Sequence, residues 1–189
     1  MKLKLLFFIL FLIPLSGFSQ SKKSIDSFLD IPFGSDSATV KAALIARGAI
    51  KNDTISKKDY LAFTGLSMST RKVLVLGVKF VDNKVYEADF MFFDFAEADA
   101  LTYYDIFSSD VASVYGKGEM SNNFGNENNS IRIRKLKSGN STCSTVWESK
   151  NKNTISLFFW PINNSLFITL QYQSSTLGHL NDSKRRSDL

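Results

Sequence analysis

The sequence predicts an α+β fold in which two helices pack on an antiparallel sheet. Residues 35–48 and 94–116 each combine apolar residues at helical spacing with residues that favour helix ends. The other apolar segments are short, rich in β-branched and aromatic residues, and joined by turns too short for parallel crossovers. The order of helix, three strands, helix and four strands suggests two tandem halves, each a helix followed by an antiparallel meander.

The first helix is predicted to follow Gly34 and to end at Gly48. Ser35 is the expected N-cap, because its hydroxyl can accept a hydrogen bond from a free N–H of the first turn. Val40 and Leu44 are four residues apart and therefore share one helix face. Gly48 supplies the left-handed residue that often follows the last turn of a helix.

The second helix is predicted to begin at Asp94 and to end at Gly116. Asp94 is the expected N-cap, and Glu97 three residues later makes the pair similar to a capping box. An apolar stripe with the period of a core-facing helix follows, formed by Leu101, Tyr104, Phe107, Val111 and Val114.

Three strands are predicted between the helices and four strands after the second helix. Residues 72–81 and 84–93 form a hairpin, because Asp82-Asn83 is a turn pair that tolerates positive φ. Residues 131–134 alternate between isoleucine and arginine, which is typical of a strand with one polar face. The remaining strands are predicted over residues 60–64, 143–149, 154–160 and 166–173.

The start of the chain is typical of a secretory signal peptide. Lys2 and Lys4 precede an apolar segment over residues 5–15, and small residues follow that segment. The segment is shorter than the roughly 20 apolar residues that a membrane-spanning helix needs. We therefore expect cleavage between Ser19 and Gln20, and a secreted or periplasmic protein with no transmembrane segment.

Three regions are predicted along the chain, and only one of them is a folded domain. They are a signal peptide over residues 1–19, a single α+β domain over residues 28–173 and a polar basic tail over residues 174–189. Removing 19 of 189 residues leaves 170, which is enough to bury a substantial core without disulfides.

The net charge of the chain does not indicate a nucleic-acid partner. The formal charge is +5, and removing Lys2 and Lys4 with the signal peptide lowers it to 21 minus 18, or +3. The basic residues at the two ends of the mature chain are typical of solvated termini. We therefore expect no nucleic-acid binding.

One stretch of the chain resembles a group of small secreted bacterial proteins. Phe33-Gly-Ser, then Val40-Lys-x-x-Leu44 and then Gly48, is similar to their opening helix, which precedes a sheet. Lys84-Val-Tyr-Glu-Ala88 and the helix containing Leu101-Thr-Tyr-Tyr104 extend the resemblance to about residue 116. Similar helix-plus-meander units occur in outer-membrane-assembly lipoproteins of the SmpA/OmlA type and, in tandem, in β-lactamase-inhibitor proteins.

The resemblance implies the fold and transfers no functional residue, because the matching positions are caps and core residues. The chain also departs from both families. It has no cysteine at the cleavage site for a lipid anchor, and its only cysteine, Cys143, cannot form a disulfide within the domain.

The usual catalytic and metal-binding residue sets are missing from the sequence. His179 is the only histidine and lies in the polar tail, where we expect it to be a surface residue. One cysteine and one peripheral histidine do not provide the ligands of a zinc site. Cys143 is in phase with Thr145 and Trp147 on a predicted strand, so a buried thiol is expected. We predict no catalytic residue, no metal and no cofactor.

A carboxylate-dependent hydrolase is the one enzyme class that needs neither histidine nor cysteine. Glu87 and Asp89 are two residues apart on one predicted strand, which places them on one face at a spacing of about 7 Å. The alternative is that both carboxylates lie on the solvent side of the hairpin while Tyr86, Ala88 and Phe90 point inward.

Four residues are candidates for a binding surface. Arg132 and Arg134 share one face of a predicted strand and suit an acidic protein or an anionic lipid, although a solvated sheet face is the alternative. Trp147 and Trp160 are candidate contact anchors, although both lie in apolar strands and core positions are the alternative. The expected function is a non-catalytic module that binds a protein partner or a small ligand, and the alternative is a small carboxylate-dependent hydrolase acting on envelope glycans.

Overall fold

The computed structural model describes residues 23–93 and 95–187. The predicted cleavage site between Ser19 and Gln20 and the predicted N-cap Asp94 lie outside the described residues. The helices are α1 (Ser37–Ala46), α2 (Ala100–Tyr115), α3 (Asn129–Lys137) and α4 (Ser175–Ser187). The strands are β1 (Ser27–Phe28), β2 (Ile31–Pro32), β3 (Ile50–Lys51), β4 (Tyr60–Thr64), β5 (Ser67–Met68), β6 (Arg71–Lys72), β7 (Val75–Val81), β8 (Lys84–Phe92), β9 (Glu119–Asn122), β10 (Cys143–Glu148), β11 (Thr154–Ile162) and β12 (Ser165–Gln173).

The α+β class is confirmed, and the main sheet consists of two meanders that meet in its middle. Eight strands lie in the order β3-β4-β7-β8-β12-β11-β10-β9, and all neighbouring pairs are antiparallel. β8 ends the first meander and β12 ends the second, and these two strands pair with each other. Each meander follows a helix, α1 or α2, and the second contains the additional helix α3 between β9 and β10.

Two tight hairpins set the pairing of the central strands. Asp82 and Asn83, predicted as a turn, have φ values of 50° and 60° and connect β7 to β8. Asn163 and Asn164 have φ values of 48° and 62° and connect β11 to β12. Two successive residues with positive φ give the turn twist that antiparallel strands favour, and asparagine and aspartate tolerate this conformation better than most residues.

The hydrophobic core lies between one face of the sheet, here called the helix face, and helices α1, α2 and α3. The helix face is formed by inward residues of β4, β7, β8, β10, β11 and β12, with Phe63, Leu76, Ala88, Phe90, Leu170, Leu157 and Ile155 all fully buried. Tyr104 of α2 stacks on Phe159 at a centroid distance of 4.9 Å. Its hydroxyl is 2.9 Å from Thr145 Oγ1 and donates to the Leu157 carbonyl, so α2 is held to two strands.

The helix α1 begins one residue later than predicted. Asp36, not Ser35, is the N-cap, and its carboxylate accepts from Thr39 N at 2.8 Å. Ser35 instead donates its hydroxyl to the Pro32 carbonyl, which closes the preceding turn. Gly48 follows the helix with φ of 85°, as its position predicted.

The start of α2 also differs from the predicted capping box. A short 3₁₀ segment, Glu97–Asp99, precedes the helix, and the Glu97 carboxylate pairs with Lys137 of α3 at 2.7 Å. The predicted end of the helix is confirmed, since Gly116 follows Tyr115 with φ of 80°.

The predicted strand over residues 131–134 is wrong, because this segment is part of α3. Asn128 caps the helix by accepting from Ile131 N at 3.0 Å. Ile133 and Leu136 are buried three residues apart, which is helical spacing. The four-residue alternation of isoleucine and arginine was too short to distinguish the period of a strand from that of a helix. The Asn128 cap and the burial of Ile133 and Leu136 favour the helix.

The segment predicted as a polar basic tail, residues 174–189, contains helix α4. Ser174 N donates to the Tyr86 carbonyl at 2.8 Å, and Ser175 N donates to Asn153 Oδ1 at 2.9 Å. Lys184 forms a salt bridge with Asp82 in the β7–β8 turn. These contacts attach the start and the basic end of α4 to the sheet, and His179 is exposed on it, as predicted.

None of the helices within the described residues is both long and apolar enough to cross a bilayer.

Candidate functional site

The second face of the sheet, here called the open face, is only partly covered. Helices α1, α2 and α3 pack on the helix face, whereas α4 lies across one end of the open face beside β7 and β8. The open face is defined by the outward residues of the central strands and the residue after β8: Trp160, Phe167, Phe93, Phe158, Thr169, Met91, Gln171, Asp89, Gln173, Glu87 and Lys79. Its character changes along the strands, from aromatic at one end to polar at the other.

An aromatic row crosses the uncovered end of the open face. Trp160 of β11 lies directly opposite Phe167 of β12, and Phe167 stacks on Phe93 with centroids 4.7 Å apart. Phe158 approaches Trp160 edge-on at 6.0 Å. Trp160 is 52% exposed and Phe93 is 44% exposed. The row therefore presents a broad aromatic surface that no described helix covers.

A polar cluster occupies the opposite end of the open face. Lys79 of β7 forms salt bridges with Glu87 and, at 3.1 Å, with Asp89 of β8. Gln171 Nε2 donates to Asp89 Oδ1 at 2.8 Å, and Gln173 Nε2 donates to Glu87 Oε2 at 3.0 Å. Each glutamine is the cross-strand partner of the carboxylate that it contacts, so the strand register alone brings them together.

Burial and neighbouring charges shift the pKa values of this polar cluster. Burial, and next the nearby Asp89 charge, raise the pKa of Glu87 above its ordinary value, although Lys79 opposes the shift. Burial alone would lower the pKa of the Lys79 ammonium, but the attraction of Asp89 and Glu87 raises it above its usual range. Lys79 is therefore charged at neutral pH and holds two carboxylates that would otherwise repel each other.

The position of Glu87 corrects the expectation that both carboxylates lie on the solvent side of the hairpin. Glu87 is only 5% exposed, because α4 lies over this end of the open face, and Gly178 of α4 sits against the Gln173 side chain. Asp89 is more accessible, with 18% of its side chain exposed. Both carboxylates do lie on one face, as their spacing predicted, since Lys79 contacts both.

Gly77 makes space for another side chain of this region. A Cβ at Gly77 would lie 2.5 Å from the hydroxyl of Tyr60, whose ring crosses over the glycine from β4. The Tyr60 ring therefore covers the β7 backbone beside Asp89, the cross-strand partner of Gly77.

The two predicted arginines do not share a face. Residues two positions apart in an α-helix are about 200° apart around its axis. Arg132 and Arg134 therefore point in different directions once the segment is helical. Arg134 is exposed on α3. Arg132 is half-buried, and its guanidinium lies 5.5 Å from the ring centroid of Phe124. The prediction that this pair forms a common basic surface is therefore wrong.

The two predicted tryptophans also have different environments. Trp147 is 3% exposed on the helix face, and its Nε1 donates to the Gly116 carbonyl at 2.8 Å, which makes it a core residue. Trp160 lies on the open face in the aromatic row. Of the four candidate binding residues, Trp160 alone belongs to the open face.

Sequence reasoning missed the partners that surround Trp160 and Glu87. The alternation of polar and apolar residues in β12 places Phe167, Gln171 and Gln173 on one side of that strand, and this signal was available. The register that sets Lys79 beside Glu87 was not available, because β7 and β8 slip at a bulge between Lys79 and Phe80.

Within the described residues, no group of three or more histidine, cysteine, aspartate or glutamate side chains is arranged to hold a metal ion.

The thiol of Cys143 is buried, as predicted, at 3% exposure beside Tyr104. Burial raises its pKa to about 11, so very little thiolate is present at neutral pH. We expect the folded protein to react with Ellman's reagent at about pH 8 more than about 100-fold slower than the protein unfolded in guanidinium chloride. Equal rates in the two states would contradict this, and Cys143→Ala provides the baseline.

Comparison with known proteins finds no match to any protein-family model, to any curated protein or to any solved structure. The resemblance to SmpA/OmlA-type lipoproteins and to tandem β-lactamase-inhibitor modules therefore stays a prediction.

Proposed function

We propose that this protein is a non-catalytic secreted or periplasmic module that binds a protein partner through its open face. The observation that carries the proposal is the aromatic row of Trp160, Phe167 and Phe93, which no described helix covers on the open face of the antiparallel sheet. Large aromatic side chains are enriched among the residues that dominate protein interfaces. Exposed clusters of such side chains on soluble proteins commonly mark interaction sites.

The polar cluster beside the aromatic row supports a rigid rather than an adaptable surface. Gln171 and Gln173 hold Asp89 and Glu87 in place, and Lys79 bridges the two carboxylates. A surface whose side chains are already ordered loses little conformational entropy when it binds.

The test is site-specific photocrosslinking in the cells that produce the protein. Benzoylphenylalanine in place of Phe158 should form adducts with one protein, because this residue lies half-buried beside Trp160. Adding Trp160→Ala should remove the adduct, since loss of a central aromatic contact weakens binding by about 2 kcal/mol or more, about thirtyfold.

A matched control separates the open face from apolar exposure in general. Ile45 of α1 is 48% exposed, similar to Trp160, but lies on a helix that covers the helix face. Benzoylphenylalanine at Ile45 should form no adduct with the same protein. Equal adducts at both positions, or an adduct at Phe158 that persists with Trp160→Ala, would refute binding through the open face.

The alternative proposal, a small carboxylate-dependent hydrolase acting on envelope glycans, has less support. Lys79 occupies the space between Glu87 and Asp89, where an inverting mechanism needs a water molecule. Hydrolysis of isolated envelope glycans by the native protein, lost in a folded Asp89→Asn variant, would favour the hydrolase instead.

A further inference from the structure

A second candidate site lies on the other side of the molecule from the open face. A pocket of about 310 Å³ opens where α2, the first turn of α3 and strands β9 and β10 meet. Its size is at the small end of the range for ligand sites in proteins. Its polar side chains come from α2, β9 and α3. They are Thr102 and Asp105 of α2, Asn122 of β9, and Asn129 and Arg132 of α3.

Arg132 is held at this pocket with most of its hydrogen-bonding capacity unused. Its guanidinium lies over the Phe124 ring, and Nη2 donates to the Gly125 carbonyl at a long 3.4 Å. Its Nε is buried and has no hydrogen-bond partner within residues 23–93 and 95–187. A guanidinium has five N–H donors, and a buried donor without a partner is destabilising.

Glu127, the nearest acid in the sequence, forms no salt bridge with Arg132. Its Oε1 pairs with Lys135 of α3, and its Oε2 is buried with no hydrogen-bond partner among the described residues. Arg132 forms no salt bridge with any carboxylate in the described part of the chain. An unneutralised, partly buried guanidinium favours a carboxylate or similar anion from outside the chain.

Asp105 brings the opposite charge to the same pocket. It lies on α2, is exposed to solvent and lines the pocket together with Arg132. Like Arg132, Asp105 forms no salt bridge with any residue that the structure describes. A cation and an anion that share one small pocket without contacting each other are both available to a ligand that carries both charges.

We propose that this pocket binds a small zwitterion with the chemistry of a free α-amino acid. The ligand carboxylate pairs with the Arg132 guanidinium, whose planar fork suits bidentate contact, and the ligand ammonium pairs with Asp105. The amides of Asn122 and Asn129 remain for polar atoms of the ligand side chain. This site is independent of the proposed function, because none of its residues lies on the open face.

The test uses the twenty free L-amino acids as probes, each titrated into the full mature chain labelled with ¹⁵N. At least one should shift the Arg132 Nε–H resonance saturably, with Kd below about 1 mM. The α-amide of that amino acid lacks the carboxylate and its N-acetyl derivative lacks the ammonium, so each should bind at least about tenfold more weakly.

Variants identify the residues that bind the ligand. Arg132→Gln and Asp105→Asn should each weaken binding at least about tenfold, and Arg132→Lys should weaken it through loss of the fork while keeping the charge. Arg134→Gln is the matched control, because Arg134 lies on the same helix, is exposed and does not line this pocket. Its affinity should equal that of the native protein.

Three results would overturn the proposal. One is that no amino acid shifts the Arg132 resonance, and another is that Arg132→Lys and Arg134→Gln bind the same amino acid equally well. The third is binding of acetate with the same affinity as the amino acid, which would identify a simple anion site. If Arg132→Gln fails to fold, the affinities of the native chain for the α-amide and the N-acetyl derivative test the proposal instead.

Discussion

Replacing Lys79 with methionine is expected to lower the free energy of unfolding by about 3 kcal/mol at neutral pH. The substitution keeps the apolar stem but leaves Glu87, at 5% exposure, beside Asp89 without a positive charge. Removing one partner of a buried ion pair typically costs about 3–5 kcal/mol, and the lower value applies because 38% of the Lys79 side chain is exposed. Chemical denaturation at about pH 7 measures the loss.

The free energy of unfolding lost in Lys79→Met should increase with pH. The pKa of Glu87 is higher in the folded state than its ordinary 4.5, so the folded protein binds more protons between the two values. The contribution of Glu87 to stability is therefore fully present below about pH 4.5 and is lost as the pH rises through the raised pKa. Without Lys79 that pKa rises further, so Lys79→Met should cost more stability at about pH 8 than at about pH 5.

Two further variants control this experiment. Lys41→Met removes an exposed lysine from α1 and should change stability by no more than about 0.5 kcal/mol. Adding Glu87→Gln to Lys79→Met removes the uncompensated buried charge and should restore part of the stability. A Lys79→Met protein as stable as Lys41→Met at about pH 8 would show that the bridge contributes nothing.

Replacing Trp147 with alanine should have the largest effect, a loss of about 3–5 kcal/mol. The indole is 3% exposed and donates a hydrogen bond to the carbonyl of Gly116 at the end of α2. Gly118 fits closely against it, since a Cβ there would lie 2.6 Å from Trp147 Cε2. The substitution therefore leaves a cavity at the junction of α2, β9 and β10, and guanidinium unfolding measures its cost.

Trp160→Ala is the matched comparison for Trp147→Ala. It removes the same side chain from a position that is 52% exposed, so the loss should be below about 1 kcal/mol. Trp147→Ala should thus lower stability, whereas Trp160→Ala should weaken binding to a partner. Equal losses of stability would contradict the different environments of the two tryptophans.

The sequence predicted features that depend on a few neighbouring residues. Asp82-Asn83 specified a tight hairpin, and Gly48 and Gly116 ended their helices, because positive φ is a local property of these residues. Cys143 was correctly expected to be buried, since it alternates in phase with Thr145 and Trp147.

Residues 131–134 show where local reasoning failed. The short alternation of isoleucine and arginine indicated a strand, but the Asn128 cap and the packing of Ile133 and Leu136 made it a helix. Consequently Arg132 lines a pocket against α2 while Arg134 is exposed, whereas a strand would have placed both side chains on one face.

The environment of each tryptophan and carboxylate was settled by contacts between distant parts of the chain. Trp147 and Trp160 both lie in apolar strands, and only the packing of α1, α2 and α3 on one face of the sheet made one buried and the other exposed. Likewise, α4 buries Glu87 from more than 80 residues away, and a bulge sets Lys79 beside it. Such pairings depend on strand register and on which face receives a helix, and neither is a property of a local window of sequence.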